Sequence, residues 1–292
     1  MSDAAGRQTD LPGGSQTVRW RWGLVAAIVA ALIAAAVVGN QWIWPETDAQ
    51  RRSLSMPTVS EHQELDAQPV ATPSAESQEP ERFAMLRQRM VDLQLANRDI
   101  HDQRVLDVMR RVPRHRFVPE SQRESAYADW PLQIGADQTI SQPYIVGLMT
   151  QLAQPKADSR ALDVGTGSGY QAAVLAELCR KVYSIEIVES LATQARSRLA
   201  ELEYHNVQVR HGDGYRGWPE HAPFDVIILA AAPPHVPEPL VEQLAVGGRL
   251  VLPVGDRSQE LIVVEKQPDG TTRQWTEVAV RFVPMTGEAQ QQ

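Results

Sequence analysis

The sequence predicts an α/β fold: a doubly wound, mostly parallel sheet of seven strands, preceded by a helical N-terminal subdomain and closed by a C-terminal antiparallel hairpin. Three observations carry this expectation. Short apolar runs alternate with helical stretches between residues 161 and 254, the pattern of crossovers onto a parallel sheet. A glycine turn, Gly165-Thr-Gly-Ser-Gly169, separates the first run from the first helix of that series. Two further apolar runs flank Pro268-Asp269-Gly270, a turn signal between antiparallel strands.

The chain begins far from any sheet. Residues 1–18 read as a tail, and 23–39 run 17 residues without a charge. At about 1.5 Å per residue that is roughly 25 Å of helix, the lower limit of a bilayer span. Arg19 and Arg21 precede the run, while Trp20, Trp22, Trp42 and Trp44 flank it where interfacial aromatics sit. Residues 19–44 are therefore expected to anchor the chain in a lipid bilayer, with a cleaved export signal or a buried Ala-rich helix as alternatives. Prolines at 45, 57, 69, 73 and 80, among Ser, Gln and Glu and with no aromatic residue, mark 45–80 as a disordered linker.

Folded sequence resumes at Glu81. Helical spacing covers 83–95 and 102–111, where Val105, Leu106, Val108 and Met109 form an apolar face ahead of Pro113. The segment 138–143 is extended, because Pro143 disfavours helix at Gln142. It leads into a helix carrying Ile145, Leu148, Met149 and Leu152. These elements make 81–150 a helical subdomain with a ligand-facing loop. Strands at 161–164, 182–187, 207–210, 224–230 and 249–254 then alternate with helices at 170–180, 190–202 and 239–244. Runs at 260–266 and 273–282 form the hairpin, so 151–287 is the main α/β domain and 288–292 a tail.

Composition narrows the function. Lys and Arg total 28 against 36 Asp and Glu, a formal net charge of −8. That is the wrong sign for a chain that grips polyphosphate, so no nucleic acid partner is expected. A single cysteine, Cys179, and no paired His/Cys spacing give no reason to expect a disulfide or a metal.

The turn Asp163-Val-Gly165-Thr-Gly167-Ser-Gly169 lets a ligand approach bare backbone beside free N–H donors of a helix N-terminus. Without a ligand it is simply a tight strand-to-helix connection. Glu186 ends the next strand, 19 residues after Gly167, where a carboxylate can accept both hydroxyls of a ribose. Asp213, in His211-Gly-Asp-Gly214, follows the third strand and is placed to accept from an adenine amino group. Tyr170 stands where the nicotinamide fingerprint wants Gly or Ala. A dinucleotide is therefore disfavoured, and a nucleoside with an amino-acid carboxylate in place of pyrophosphate, S-adenosyl-L-methionine, is expected. Plain roles are expected for Cys179 as a buried hydrophobe, for Asp163 as an orienter of the turn and for Asp225 as a strand cap. His211 reads equally as a cofactor contact or a surface histidine.

The segments LDVGTGSGYQAAVLAEL, VYSIEIVESL, NVQVRHGDGYRGW, PFDVIILAAAPPHVP and GGRLVLPVG, with QTISQPY upstream and VRFVPM near the end, resemble bacterial protein-L-isoaspartate O-methyltransferases from residue 81 to 287. LDVGTGSG is common to many methyltransferases, whereas QTISQP and AAAPP are far more particular to this family. The resemblance implies a Rossmann-like methyltransferase fold. It also implies methyl transfer from S-adenosyl-L-methionine to the free carboxylate of L-isoaspartyl residues in damaged proteins and peptides, opening repair through a succinimide. By the same likeness Ser141 matches the family's active-site serine, with Thr139 as the fallback donor. Gly165, Gly167, Gly169, Glu186 and Asp213 match cofactor positions. Pro233, Pro234, Val283 and Pro284 lie where the family holds the peptide.

An ionised carboxylate acceptor, with an ordinary pKa of about 4, needs no strong base, so the absence of a catalytic His or carboxylate pair from the reading is expected. The alternatives are transfer to another carboxylate or to a membrane-associated acceptor, and a noncatalytic binding module. Three arginines before the apolar run and two after it favour an outside enzyme. The cytoplasmic supply of the methyl donor argues more strongly for a cytoplasmic catalytic domain tethered to the inner membrane.

Overall fold

The computed structural model describes residues 75–291. The expected anchor at 19–44 and the linker as far as residue 74 lie outside the described residues. The first helix, α1 (Ala75–Met90), begins inside the stretch expected as linker and continues into a wider π-type turn, Val91–Ala96. Met90, Val91 and Leu95 of this run are buried. The boundary expected at Glu81 is therefore corrected to Ala75.

Helix α2 (Gln103–Arg111) starts where expected because Asp102 caps it, its carboxylate accepting from the Arg104 N–H at 2.9 Å. A short hairpin follows, β1 (Leu132–Gly135) and β2 (Gln138–Ile140), of which only the second arm was anticipated as extended. Gly135, Ala136 and Asp137 all turn through positive φ. Pro143 then opens α3 (Pro143–Ala153), with Gln142 extended as its successor proline demands.

The main sheet comprises β3 (Arg160–Val164), β4 (Lys181–Glu186), β5 (Val207–His211), β6 (Phe224–Leu229), β7 (Leu244–Val254), β8 (Gln259–Lys266) and β9 (Thr272–Val280). Its order is β5-β4-β3-β6-β7-β8-β9. The first five strands in that order are parallel, and β8 and β9 add antiparallel. The seven strands and terminal hairpin match the expectation. Alternation along each strand feeds two cores. Val226 and Ile228 of β6 face one, and Ile227 and Leu229 face the other.

Helices α4 (Tyr170–Ala176), α5 (Glu189–Glu201) and α6 (Glu238–Glu242) connect the strands. α4 stops short of the expected residue 180. The Asn206 side-chain amide donates to the Ala176 and Cys179 carbonyls at 2.8 and 3.1 Å, which terminates the helix and returns the chain to the sheet. β7 starts earlier than expected, at Leu244, by absorbing a bulge at Gly247-Gly248. There a Cβ on Gly248 would sit 2.9 Å from both the Ala245 and Phe224 carbonyl oxygens.

Two expected boundaries do not survive. The division at 150/151 falls inside α3, and the helical part shares one continuous core with the sheet, from Phe83 to Val263. Residues after 287 are no loose tail: a 3-10 turn at Gly287–Gln290 buries Ala289 in the second core.

Candidate active site

The chain runs outward through β3, β4 and β5 and then crosses back to β6. The β3/β6 boundary is therefore the point where a crevice opens at the C-terminal strand ends. Gly165, Gly167 and Gly169 follow β3 with φ of +91°, +53° and +91°, conformations that side chains rarely accept. Two backbone donors tie this turn to β4: the Gly165 and Thr166 N–H groups reach the Ile185 carbonyl at 2.8 and 3.1 Å.

Glu186, at the end of β4, organises the same turn. Its Oε2 accepts from the Gly167 N–H at 2.7 Å and its Oε1 from the Val188 N–H at 2.9 Å. Each carboxylate oxygen has a further lone pair, so the group is oriented by backbone and still able to accept from a ligand hydroxyl.

Asp163 lies beneath the turn, fully buried. Its Oδ2 accepts from Ser184 Oγ at 2.7 Å, and Ser184 Oγ lies 2.5 Å from Thr166 Oγ1. Its Oδ1 is buried with no hydrogen-bond partner among the described residues. Burial pushes this carboxyl up to about 7; the Ser184 hydrogen bond opposes the rise and the nearby Glu186 charge adds to it.

Asp213, beyond β5, is held by the Tyr215 N–H on Oδ1 at 2.9 Å and by the Glu288 N–H on Oδ2 at 2.7 Å. The second contact brings the C-terminal segment over the crevice. Arg216 fastens it through a two-pronged contact with the Glu288 carboxylate at 2.6 and 2.9 Å. Ala232 exchanges backbone hydrogen bonds with Val283 and Met285 at 2.9 and 2.8 Å.

These pieces line a partly open cavity. The glycine turn, Glu186, Asp213, Ala230 and Ala231, the β2 loop and the segment from Val283 to Thr286 all contribute to its lining. Two carboxylates line it, and among the described residues no Lys, Arg or His does. Such a wall suits a ligand carrying positive charge and hydroxyl or amino donors and offers nothing to a pyrophosphate. A second, more open groove adjoins it. Thr139, Ser141, Ala230, Val283 and Pro284 line both.

Of the residues expected from sequence, Ser141, Thr139, Gly165, Gly167, Glu186, Asp213, Val283 and Pro284 are thus brought together. Gly169 ends the turn as the residue before α4 and is absent from the lining, packed against Leu199 and Ala195. Pro233 and Pro234 are also absent from both linings. The Pro233 carbonyl instead accepts from the Gly255 N–H at 3.0 Å, and Ala230 and Ala231 stand at the cavity wall. His211 points elsewhere, its Nε2 3.1 Å from the Ile187 carbonyl. Asp225 caps β3 through the Arg160 N–H at 2.8 Å. Cys179 is buried, and burial pushes its thiol up to about 12.

Sequence reasoning missed Gln138, Gln171, Met285 and Thr286 of the lining. Gln138 adjoins the QTISQP segment and was within reach. The two residues at 285 and 286 depend on a chain reversal after β9 that no local pattern announces.

Residues 85–290 match the family model described as Protein-L-isoaspartate(D-aspartate) O-methyltransferase (PCMT). A protein-L-isoaspartate O-methyltransferase of Synechococcus sp. (strain JA-2-3B'a(2-13)) is 53% identical over 228 residues, covering 74% of this chain and 93% of the relative. Its counterpart from Opitutus terrae is 58% identical over 203 residues, covering 69% of this chain and 87% of the relative. Among solved structures, a putative protein-L-isoaspartate O-methyltransferase from Plasmodium falciparum, crystallised with S-adenosyl-L-homocysteine, superposes with a TM-score of 0.61 at 27% identity. That match covers 68% of this chain and 98% of the other. With the family model spanning the helical part, the glycine turn and the C-terminal segment alike, the chain belongs to the protein-L-isoaspartate(D-aspartate) O-methyltransferase family.

Proposed function

We propose that this chain methylates the free carboxylate of L-isoaspartyl residues in damaged proteins and peptides, with S-adenosyl-L-methionine in the cavity and the peptide in the adjoining groove. The observation that carries the reading is the lining: a cavity with two accepting carboxylates and, among the described residues, no basic side chain, joined to a groove by a wall that includes Ser141 and Thr139. The residues fit the donor. Glu186 suits the ribose hydroxyls, Asp213 the adenine side, and the exposed backbone of Gly165 and Gly167 the amino-acid end.

S-adenosyl-L-methionine supplies an electrophilic methyl on a sulfonium. A carboxylate oxygen forms the new O–C bond as the S–C bond breaks with its electron pair remaining on sulfur, leaving a methyl ester and S-adenosyl-L-homocysteine. No proton moves. The protein's task is therefore to align the two partners and keep water from the nucleophile. Ser141 donates a hydrogen bond that aims one carboxylate oxygen, Thr139 is the second donor on the same loop, and Val283 and Pro284 hold the peptide's flank.

Isomer-pure peptides test the reading. Methyl ester should form on the isoaspartyl peptide and not on its aspartyl isomer. Ser141→Ala should cost about 1 to 3 kcal/mol in kcat/KM, the worth of one directed hydrogen bond to a charged group. Equal methylation of both isomers removes the assignment, and a Ser141→Ala variant at full rate removes the serine's role.

The apolar run at 23–39 between Trp flanks supports tethering of this domain to the inner membrane, and the cytoplasmic supply of the methyl donor supports the cytoplasmic side against the slight contrary vote of the flanking arginines. Among the described residues no helix is long and apolar enough to cross a membrane. Protease added to intact spheroplasts should leave a C-terminal reporter uncut; cleavage from outside rules the placement out.

A further inference from the structure

Arg114 is fully buried, and among the described residues it makes no ion pair. Burying an unpaired guanidinium is costly unless strong hydrogen bonds compensate. Here two carbonyls do so in part, Nη1 being buried with no hydrogen-bond partner among the described residues. Nε donates to the Ala126 carbonyl at 2.7 Å, and Nη2 donates to the Ser141 carbonyl at 2.8 Å. The guanidinium carbon lies 4.9 Å from the centroid of Tyr170, the first residue of α4 and part of the cavity lining. The group stays cationic near neutral pH although burial pulls it down to about 10.

The geometry is that of a rigid plate. The guanidinium is planar, so Nε and Nη2 fix the separation of two carbonyls from distant parts of the chain while its carbon lies over an aromatic ring. One of those carbonyls belongs to Ser141, between the end of β2 and the proline that opens α3. Neither neighbour fixes the peptide plane between Ser141 and Gln142. Arg114 does. We infer that Arg114 is the positioning residue of the acceptor loop, setting the Ser141–Gln142 peptide plane and so the aim of the loop's donors at the methyl-accepting carboxylate, while its charge over the Tyr170 ring registers that loop against the start of α4. It touches neither donor nor acceptor, being absent from both linings. The inference rests on the proposed role of the Thr139–Ser141 loop and deepens it.

The test compares wild type, Arg114→Lys, Ser141→Ala and the double variant in the full-length protein. Lysine keeps the charge and loses the two-pronged plate. Arg114→Lys is expected to lower kcat on an isoaspartyl peptide by about ten- to a hundredfold, the scale of an ångström's misplacement. The affinity for S-adenosyl-L-homocysteine, read by calorimetry, should stay within about twofold, because the cavity's own donors are untouched. In the Ser141→Ala background the same substitution should cost far less, since the group it aims is gone.

Full kcat in Arg114→Lys with a slow Ser141→Ala overturns the inference and leaves the serine's role standing. A slow Arg114→Lys with Ser141→Ala at full rate removes the serine's role and keeps Arg114 as positioner of the loop. Should the lysine variant melt below assay temperature, Arg114→Ala assayed with added methylguanidinium replaces it. Return of kcat at unchanged S-adenosyl-L-homocysteine affinity supports positioning, and a return that merely follows melting temperature overturns it.

Discussion

Asp163→Asn is expected to flatten the pH dependence of this protein's stability. Burial raises the Asp163 carboxyl from 3.8 to about 7. Between those values the unfolded chain has released a proton that the folded chain keeps, so the unfolded state binds fewer protons and stability falls as pH rises. The loss begins near pH 4 and is complete above about pH 7. A gap of about 3 pH units, at about 1.4 kcal/mol each, amounts to about 4 kcal/mol. Asparagine keeps an oxygen for the Ser184 hydroxyl but does not titrate. It also puts an amide N–H where Oδ1 lacks a partner, a cost of about 1 to 3 kcal/mol that is independent of pH. The informative quantity is therefore the change with pH and not the absolute value. Urea unfolding of both proteins from about pH 4 to about pH 8 should show wild type losing most of that 4 kcal/mol relative to the variant. Parallel curves would falsify the claim that this carboxyl is folded in its protonated form.

On the acid side, His115 is the group to watch. It is stacked on Phe83 with ring centroids 4.2 Å apart, its Nδ1 lies 2.8 Å from the Tyr127 hydroxyl, and burial with neighbouring arginines pulls it down to about 4. Its folded value lies below the unfolded 6.5, so its contribution is present above pH 6.5 and lost as pH falls toward 4. Melting curves of His115→Phe should fall less over that window, and an unchanged slope would count against the account. Gly214→Ala places a Cβ 2.4 Å from Val164 Cγ1 beneath the cavity. It should cost about 1 to 3 kcal/mol of stability and weaken S-adenosyl-L-homocysteine binding by calorimetry; wild-type affinity would show that β3 yields there. Gly287→Ala combines a φ of +81° with a Cβ 2.3 Å from Asp213 Oδ2. It should free the C-terminal segment and speed amide exchange at Glu288, an effect that unchanged protection would rule out.

Much of this fold was legible because β3, β4 and β6 are buried along nearly their whole length and read as short, mostly apolar runs, while the helices keep their own period. The nucleoside site was legible for a related reason: a parallel sheet brings successive strand ends to one edge, so Gly165, Glu186 and Asp213 had to converge once the strands were placed. What escaped the sequence depends on partners far along the chain. Asn206 ends a helix about 30 residues upstream, and Glu288 reaches Asp213 across 75 residues. The β1–β2 hairpin carries too few apolar residues to announce itself, and Arg114 offers a charge whose partners are main-chain carbonyls, which every residue possesses. Pro233 and Pro234 mark a conspicuous motif, yet it is the small alanines just before them that face the cavity.

The acidic lining bears on turnover as well as recognition. Before transfer the nucleoside's sulfur is positively charged, and afterwards it is a neutral thioether, so the pull that the charges of Glu186 and Asp213 exert across the cavity on the ligand as a whole weakens once the methyl has gone. The same walls that gather the reactant thus loosen their hold on the spent nucleoside.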